Sequence, residues 1–358
     1  MGANTFGRLY QLHSFGESHG KAIGGIVEGF PAGFELDMSL IKFELLRRRT
    51  NQGVFSSKRS EPDDIQLLSG IFEGKTLGTP IAFAVENSNA NPKDYESIRD
   101  IYRPSHADYT WEMKFGLRDY RGGGRSSARE TLSRVVAGAM AKQYLEKMGI
   151  SITAWVQQIG DIQSEEKSMV DGKEIENSIL RCPDAMAERQ MLQRIDVAAK
   201  QGDTLGGVIK CSIRGLKAGL GEPVFDKLQA LLAHAILSIN AVKGFEYGSG
   251  FASAAMRGSE HNDEFVMKNS KITTATNHSG GIQGGISNGE EVYFNAAFKP
   301  VASISKVQKT VDNKGELIEV EIKGRHDVCV LPRAVPIVEA MAAMVIMDLV
   351  LLQNNNQY

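Results

Sequence analysis

Arg121–Met148 reads RGGGRSSARETLSRVVAGAMAKQYLEKM, three glycines giving way to a polar turn and then to a long apolar-periodic stretch. Leu132, Val135, Val136, Ala139, Met140 and Gln143 recur at helical spacing, which predicts a helix over Ala128–Met148. Ser127 followed three residues on by Glu130 is a capping-box pattern that sets the helix start at Ala128. Glycines let the backbone fold closely around a ligand, and a helix N-terminus offers unpaired N–H groups and partial positive charge to an anion. Arg125 and Arg129 add planar forks suited to phosphate or carboxylate. Five arginines, at 118, 121, 125, 129 and 134, fall within 17 residues of a chain whose net charge is −2. The positive charge is therefore local, and the plainer alternative is a capped surface helix with solvated arginines.

Outward from this helix, glycine pairs stand beside strand-like runs. Gly24-Gly25-Ile-Val-Glu-Gly29, Gly206-Gly207-Val-Ile-Lys-Cys211 and Gly284-Gly285-Ile-Ser-Asn-Gly289 look alike. The first two lead through a turn into apolar-periodic helices, at Leu40–Arg49 and Phe225–Ile239, which suggests a duplication at a spacing of 182 residues. A pair of glycines marking a common bend is the alternative. Strands are expected over Arg8–His13, Ala22–Glu28, Asp64–Phe72, Thr79–Val85, Ile150–Ile159, Leu205–Arg214, Glu291–Phe298 and Leu317–Lys323. Further helices are expected over Asp37–Arg49, Asp184–Gln201, Val224–Ile239 and Pro336–Leu352. The order is no regular βαβα alternation, so the expectation is an α+β fold with mostly antiparallel strands. A single domain over 1–352 with a disordered tail at 353–358 follows from the lack of a low-complexity linker and the polar end Gln353–Tyr358.

With 358 residues and 42% hydrophobic content the chain can bury a large core, which excludes a disordered or disulfide-stapled class. Cys182, Cys211 and Cys329 are far apart and fit buried thiols in a reducing cytosol. The first ten residues lack the apolar run of a signal peptide, and the apolar stretch Ala340–Leu352 is too short and charged for a membrane span. A cytoplasmic protein without membrane or nucleic-acid partners is expected. Two motifs mislead. Gly16-Glu-Ser18-His19-Gly20 satisfies the nucleophile-elbow pattern of serine hydrolases but is followed by a strand rather than a helix. Gly70-Ile-Phe-Glu-Gly74-Lys75-Thr76 is one spacer short of a P-loop and reads as a hairpin turn. No metal-ligand spacing is present, so no metal is expected.

Arg47-Arg48-Arg49 closes the first predicted helix, where at least one arginine reads as a solvated partner of the helix dipole. In Arg103-Pro104-Ser105-His106-Ala107-Asp108 a histidine lies among basic residues just before a helix, a plausible place for a proton donor. Ser18-His19 raises the same possibility, and Gly324-Arg325-His326-Asp327 combines an anion ligand with a base before a Pro-initiated helix. Together these predict a pocket for a small ligand carrying phosphate and carboxylates. A non-catalytic binder of phosphorylated ligands or RNA uses the same arginines, though the net charge disfavours it.

GESHG at 16–20, RPSHAD at 103–108, GGGRSSARET at 122–131, and GRHDVCV at 324–330 continuing to Pro336-Ile-Val-Glu-Ala340, in this order, resemble the chorismate synthase family. The resemblance runs from Asn4 to about Leu352. It implies a sandwich of helices between two antiparallel sheets, with an internal pseudo-two-fold duplication, assembled as a homotetramer. It implies an anti-1,4 elimination of phosphate and a ring proton from 5-enolpyruvylshikimate 3-phosphate, giving chorismate with reduced FMN and no net redox change. By the same resemblance His19 protonates the departing phosphate and His106 protonates or stabilises the reduced flavin. Asp327 acts in removing the ring proton, and Ser18 and Ser127 orient these groups. Arg48, Arg129 and Arg325 clamp the substrate, with Arg103 a further candidate. Positions matching the flavin contacts are Arg125, Ser126, Ser127, Asn240, Ala241, Gly284, Lys299, Pro300, Val301, Ala302, Ser303 and Arg325. The family often has a basic residue where Val54 stands, which leaves NADPH contact at Arg48 in doubt, and Val301-Ala302 replaces a common Thr or Ser. Reduced FMN is expected from an external flavin reductase, with NADPH as the alternative reductant.

Overall fold

The computed structural model describes residues 2–49, 62–87, 92–167, 169–322 and 327–356. Its first sheet holds Thr5–Phe6 (β1), Gln11–Phe15 (β2), Ala22–Glu28 (β3), Ile65–Leu67 (β4) and Ile81–Glu86 (β5), in the order β1-β2-β3-β5-β4. The second holds Ser151–Ile159 (β6), Ile162–Gln163 (β7), Gly207–Arg214 (β8), Val242–Tyr247 (β9) and Val292–Phe298 (β10), in the order β9-β10-β8-β6-β7. Every pairing in both is antiparallel. The principal helices are Met38–Arg48 (α1), Asp108–Phe115 (α2), Thr131–Lys147 (α3), Ala185–Lys200 (α4), Leu228–Leu237 (α5) and Leu331–Asn356 (α6).

Helix α3 packs on β2 and β3, α6 packs on β6 and β8, and the two helices pack on each other. The helices thus lie between the sheets, as the family resemblance implied, and one continuous hydrophobic core runs through both halves. Polar ties hold the layers in register. Tyr10 Oη donates to Ala137 O at 2.6 Å, and Ser133 Oγ donates to Gly24 O at 2.9 Å. Gly138 lets α3 meet α6 closely, since a Cβ there would lie 2.3 Å from Ala340 Cα.

With insertions set aside, chiefly β7 and α4 between β6 and β8, the order strand–strand–helix–strand–strand–helix recurs, and β2, β3, α1, β4, β5, α3 are answered by β6, β8, α5, β9, β10, α6. Gly24-Gly25 lies on the central strand of its sheet and Gly206-Gly207 at the start of the other central strand, where neighbours leave no room: a Cβ on Gly24 would meet Phe83 O at 2.3 Å, and one on Gly207 would meet Gln158 O at 1.9 Å. Gly284-Gly285 is different. It forms the turn of the small hairpin Ile282–Gln283/Ile286–Ser287 at φ +64° and +100°, so the third look-alike segment is no third copy.

Several boundaries move for identifiable reasons. The first long strand begins at Gln11 rather than Arg8, because the N–H groups of Arg8, Leu9 and Tyr10 donate to the Asp348 carboxylate. Asp64–Phe72 is split by a bend into β4 and the hairpin arm Ile71–Phe72, which pairs with Lys75–Thr76. The last helix starts at Leu331, not Pro336. Proline lacks the N–H that would bond to Pro332 O, and Arg181 Nη1 donates to that carbonyl instead, so the helix passes through. It also runs on to Asn356: Gln353 Nε2 donates to Gly219 O at 3.3 Å, and residues 353–356 continue the helix rather than forming a tail. From Leu331 to Asn354 this helix is long and apolar enough to cross a membrane, but 89% of its apolar window is buried in the protein core. All three cysteines are free and buried.

Candidate active site

A cleft of about 520 Å³ opens where the ends of α1, α5 and β10 meet the leading turns of α3 and α6. The segment before α3 shapes one wall. Gly122, Gly123 and Gly124 all take positive φ (70°, 84°, 53°), and a Cβ on Gly122 would strike His19 Cε1 at 2.3 Å. Ala128–Glu130 is a 3-10 turn, and the α-helix proper starts at Thr131. Ser127 Oγ accepts from Arg129 N at 3.4 Å, but the reciprocal half of the capping box is missing, because Glu130 is paired with Arg134 at 2.9 Å.

The charged wall is built from three places. Arg48 and Arg49 end α1, Arg129 lies in the 3-10 turn, and Arg333 lies in the first turn of α6. Asp63 gathers them: Arg48 Nη2 donates to Oδ2 at 2.8 Å, Arg129 Nη1 to Oδ1 at 2.7 Å, and Arg49 Nε stands 3.8 Å from Oδ2. Arg333 pairs with Asp327 and donates through Nε to Arg48 O at 3.1 Å. Burial lowers the Arg48 guanidinium; Asp63 opposes that, Arg333 and Arg129 add to it, and the result is about 10. Burial alone would raise the Asp63 carboxyl, but Arg48 and Arg129 outweigh it and hold it below the usual range. Among the described residues, Arg48 Nε and Arg49 Nε are buried without a hydrogen-bond partner.

The opposite wall carries His106, Ser126, Asn240, Ala241 and Lys299–Ser303. His106 Nδ1 lies 3.1 Å from Pro104 O and Nε2 3.0 Å from Ser303 Oγ. A carbonyl only accepts, so Nδ1 carries the proton and neutral Nε2 accepts from the serine hydroxyl. Burial, and next the Arg103 charge, push the imidazole down to about 4, so it is neutral at pH 7 in the protein alone. Asn240 Nδ2 donates to Ser126 O at 3.0 Å, while its buried Oδ1 has no partner among the described residues. Lys299 Nζ donates to Ser105 Oγ at 2.8 Å, and Val301 O accepts from Thr204 Oγ1 at 2.7 Å.

Of the expected site residues, Arg48, Arg103, His106, Ser126, Ser127, Arg129, Asn240, Ala241, Lys299, Pro300, Val301, Ala302, Ser303 and Asp327 line this cleft. Arg103 does so with its fork closed on Asp108, at 2.7 and 2.8 Å. Four residues are not in its wall. Ser18 and His19 are buried behind Gly122 and Tyr95: Ser18 Oγ lies 3.2 Å from His19 Nδ1, and the imidazole meets the Tyr95 ring edge-on at 4.8 Å. Arg125 points away, donating to Ser14 Oγ at 2.7 Å and Asn4 Oδ1 at 3.0 Å, so it pins the N-terminal strands. Gly284 lies in its hairpin turn. Arg325 and Val54 lie outside the described residues.

Among the cleft residues that the sequence alone does not assign to the site are Asp63, Arg333, Arg49 and Tyr95. A Pro-Asp pair signals only a turn, whereas Arg49 belongs to a triplet already noted. Two members of that triplet, Arg47 and Arg48, are buried, on different faces of α1, while Arg49 is partly exposed. No group of three or more candidate metal ligands occurs among the described residues.

Known proteins resemble this chain in sequence and fold. Residues 10–351 match the family model described as chorismate synthase. The chain is 54% identical to chorismate synthase of Phocaeicola vulgatus over 355 residues, 99% of each chain. It is 56% identical to that of Christiangramia forsetii over 349 residues, 97% of each. A crystal structure of chorismate synthase superposes with a TM-score of 0.77 at 30% identity, covering 97% of this chain and 93% of the other.

Proposed function

This chain belongs to the chorismate synthase family, and on that premise we propose that it converts 5-enolpyruvylshikimate 3-phosphate to chorismate with reduced FMN as cofactor. The observation that carries the reading is the surplus of positive charge among the described residues of the cleft: four guanidinium groups share two carboxylates, and Arg48 and Arg49 keep buried donors for an anion. In the reaction a ring C–H bond and the C–O bond to phosphate break, a double bond forms, and no net oxidation occurs.

The residues present also suit a flavin. Asn240 Oδ1 is a buried acceptor of the kind a ring N–H satisfies, and Phe298, Val330 and Ile337 add apolar wall. Ser126, Ser127, Asn240, Ala241 and Lys299–Ser303 would hold it, with Arg325 as a further contact. When bound, reduced flavin supplies electron density to cleavage of an allylic C–O bond without net redox change.

Arg48 and Arg129, with Arg325, clamp the phosphate and carboxylates. Asp327, which pairs with Arg333 and lines the cleft, would accept the ring proton. His106 is neutral in the protein alone, and an anion beside it favours the imidazolium, so it takes up a second proton, at Nε2, only when an anion occupies the cleft. His19 would protonate the departing phosphate; because it stands behind Gly122, that transfer needs a bridging water. Ser18 holds the His19 ring through Nδ1. The same reading carries a cytoplasmic homotetramer supplied by a separate flavin reductase, with NADPH at Arg48 as the alternative reductant.

Anaerobic incubation of 5-enolpyruvylshikimate 3-phosphate with dithionite-reduced FMN tests this by chorismate absorbance. Product with reduced FMN and none without it is expected. A folded, flavin-bound protein that forms no product would overturn the reading, and a lane with NADPH and oxidised FMN shows whether the protein reduces its own cofactor.

A further inference from the structure

We propose that Asp63 is a positioning residue for the anion clamp: a single carboxylate that sets the direction of both Arg48 and Arg129, on the functional reading above. Its two oxygens are divided, Oδ2 to Arg48 Nη2 at 2.8 Å and Oδ1 to Arg129 Nη1 at 2.7 Å. Its side chain is 1% exposed. A guanidinium is planar, so fixing one nitrogen fixes where the rest of the fork points. Arg129 is held at a second point, by Nε donating to Asn87 Oδ1 at 3.0 Å.

The chemistry requires a carboxylate. Both partners only donate, so the group between them must accept on both sides, and an amide would turn its own N–H₂ toward one guanidinium. The backbone is specialised too. Asp63 has φ +47°, a left-handed conformation that Asp tolerates better than most side chains, and this turns the carboxylate inward between α1 and the turn before α3. Burial opposes ionisation of this carboxyl, yet the two arginines keep it ionised. The clamp therefore meets its ligand already aligned, with Arg48 Nε still unpaired among the described residues.

The test compares Asp63→Asn, Arg129→Gln and the double variant in the full chain. Two readouts are used: KM for the phosphorylated substrate with reduced FMN, and the rise in Tm produced by inorganic phosphate without flavin. Asp63→Asn should raise KM about tenfold or more, the scale of one charged hydrogen bond. It should flatten the phosphate-induced rise in Tm while flavin affinity stays near wild type. The double variant should lose less than the two single losses multiplied, because part of the Asp63 effect runs through Arg129 while the part that runs through Arg48 remains. Multiplying losses, or an unchanged phosphate response in Asp63→Asn, would make Asp63 a structural counterion only.

If Asp63→Asn fails to fold, Asp63→Glu, which keeps the charge but moves the carboxylate, takes its place. A loss of affinity there supports positioning, and wild-type KM would show that net charge alone matters, overturning the proposal. Should the wild type fail to turn over the substrate, the functional reading falls. The phosphate arm still decides for or against Asp63.

Discussion

Arg47 and Arg48 are neighbours on one helix and both are buried, yet they belong to different machines. Arg47 turns into the core. It meets Glu44 at 2.6 Å, Glu176 at 2.7 Å and Glu339 at 2.5 Å, while Lys142 joins Glu44 and Glu339 at 2.5 and 2.7 Å. Glu339 also accepts from Ala154 N at 2.9 Å, tying α6 to β6. This network holds enough carboxylates to answer its cations. Arg48 turns into the cleft, where among the described residues arginines outnumber carboxylates and buried donors are left over. A charge cluster closed on itself holds a fold together, and on the proposed reading one left with a surplus holds a ligand.

The largest effect is expected in the closed network. Glu339→Ala leaves buried Arg47 and half-buried Lys142 without one of the two carboxylates they share, and should cost about 3–5 kcal/mol in denaturant unfolding. Any protein still folded should keep its KM. The cleft should answer in the opposite way: His106→Ala should leave Tm near wild type and lower kcat by about 10²–10⁴-fold. Equal turnover in that variant would remove His106 from the chemistry.

Acid should separate the clusters further. Burial would raise the Glu339 carboxyl, but Arg47 and Lys142 outweigh it and hold it at about 2. Its folded value is thus depressed below the ordinary glutamate value of 4.5, so its contribution is present above that pH and is lost as pH falls toward 2. Acid unfolding followed in wild type and Glu339→Gln should show this slope in the first and a shallower one in the second. His106 runs the other way. Its imidazole, pushed down to about 4 by burial and Arg103, should take up a proton when a phosphate dianion binds. Binding heats measured in buffers of different ionisation enthalpy should reveal proton uptake near pH 6, absent from His106→Ala.

Local patterns carried most of the fold. The α3 stripe and the two central glycine pairs are properties of adjacent residues, and they show the layers and the repeat. Strand β9, Val-Lys-Gly-Phe-Glu-Tyr, has no apolar alternation and takes its place only by pairing with β10. Proline at 336 looks like a helix start because its missing partner, Arg181, lies 151 positions from the carbonyl it satisfies. The site divides similarly. His106, Arg48, Arg129 and Asp327 stand in compact motifs. Asp63 is defined by arginines 15 and 66 positions away, and no local pattern reports that. Arg125 stands in the most informative motif yet faces the other side, because a glycine-rich turn says that an arginine is near a ligand and not which way it points.

The most direct test replaces each neighbouring arginine in turn, Arg47→Gln and Arg48→Gln, and measures both unfolding free energy and KM for 5-enolpyruvylshikimate 3-phosphate with reduced FMN. Arg47→Gln should lower stability by about 3 kcal/mol or more and leave KM near wild type, whereas Arg48→Gln should raise KM with much the smaller loss of stability. Two variants with the same loss of stability and the same KM would contradict the division between a closed core network and an open cleft.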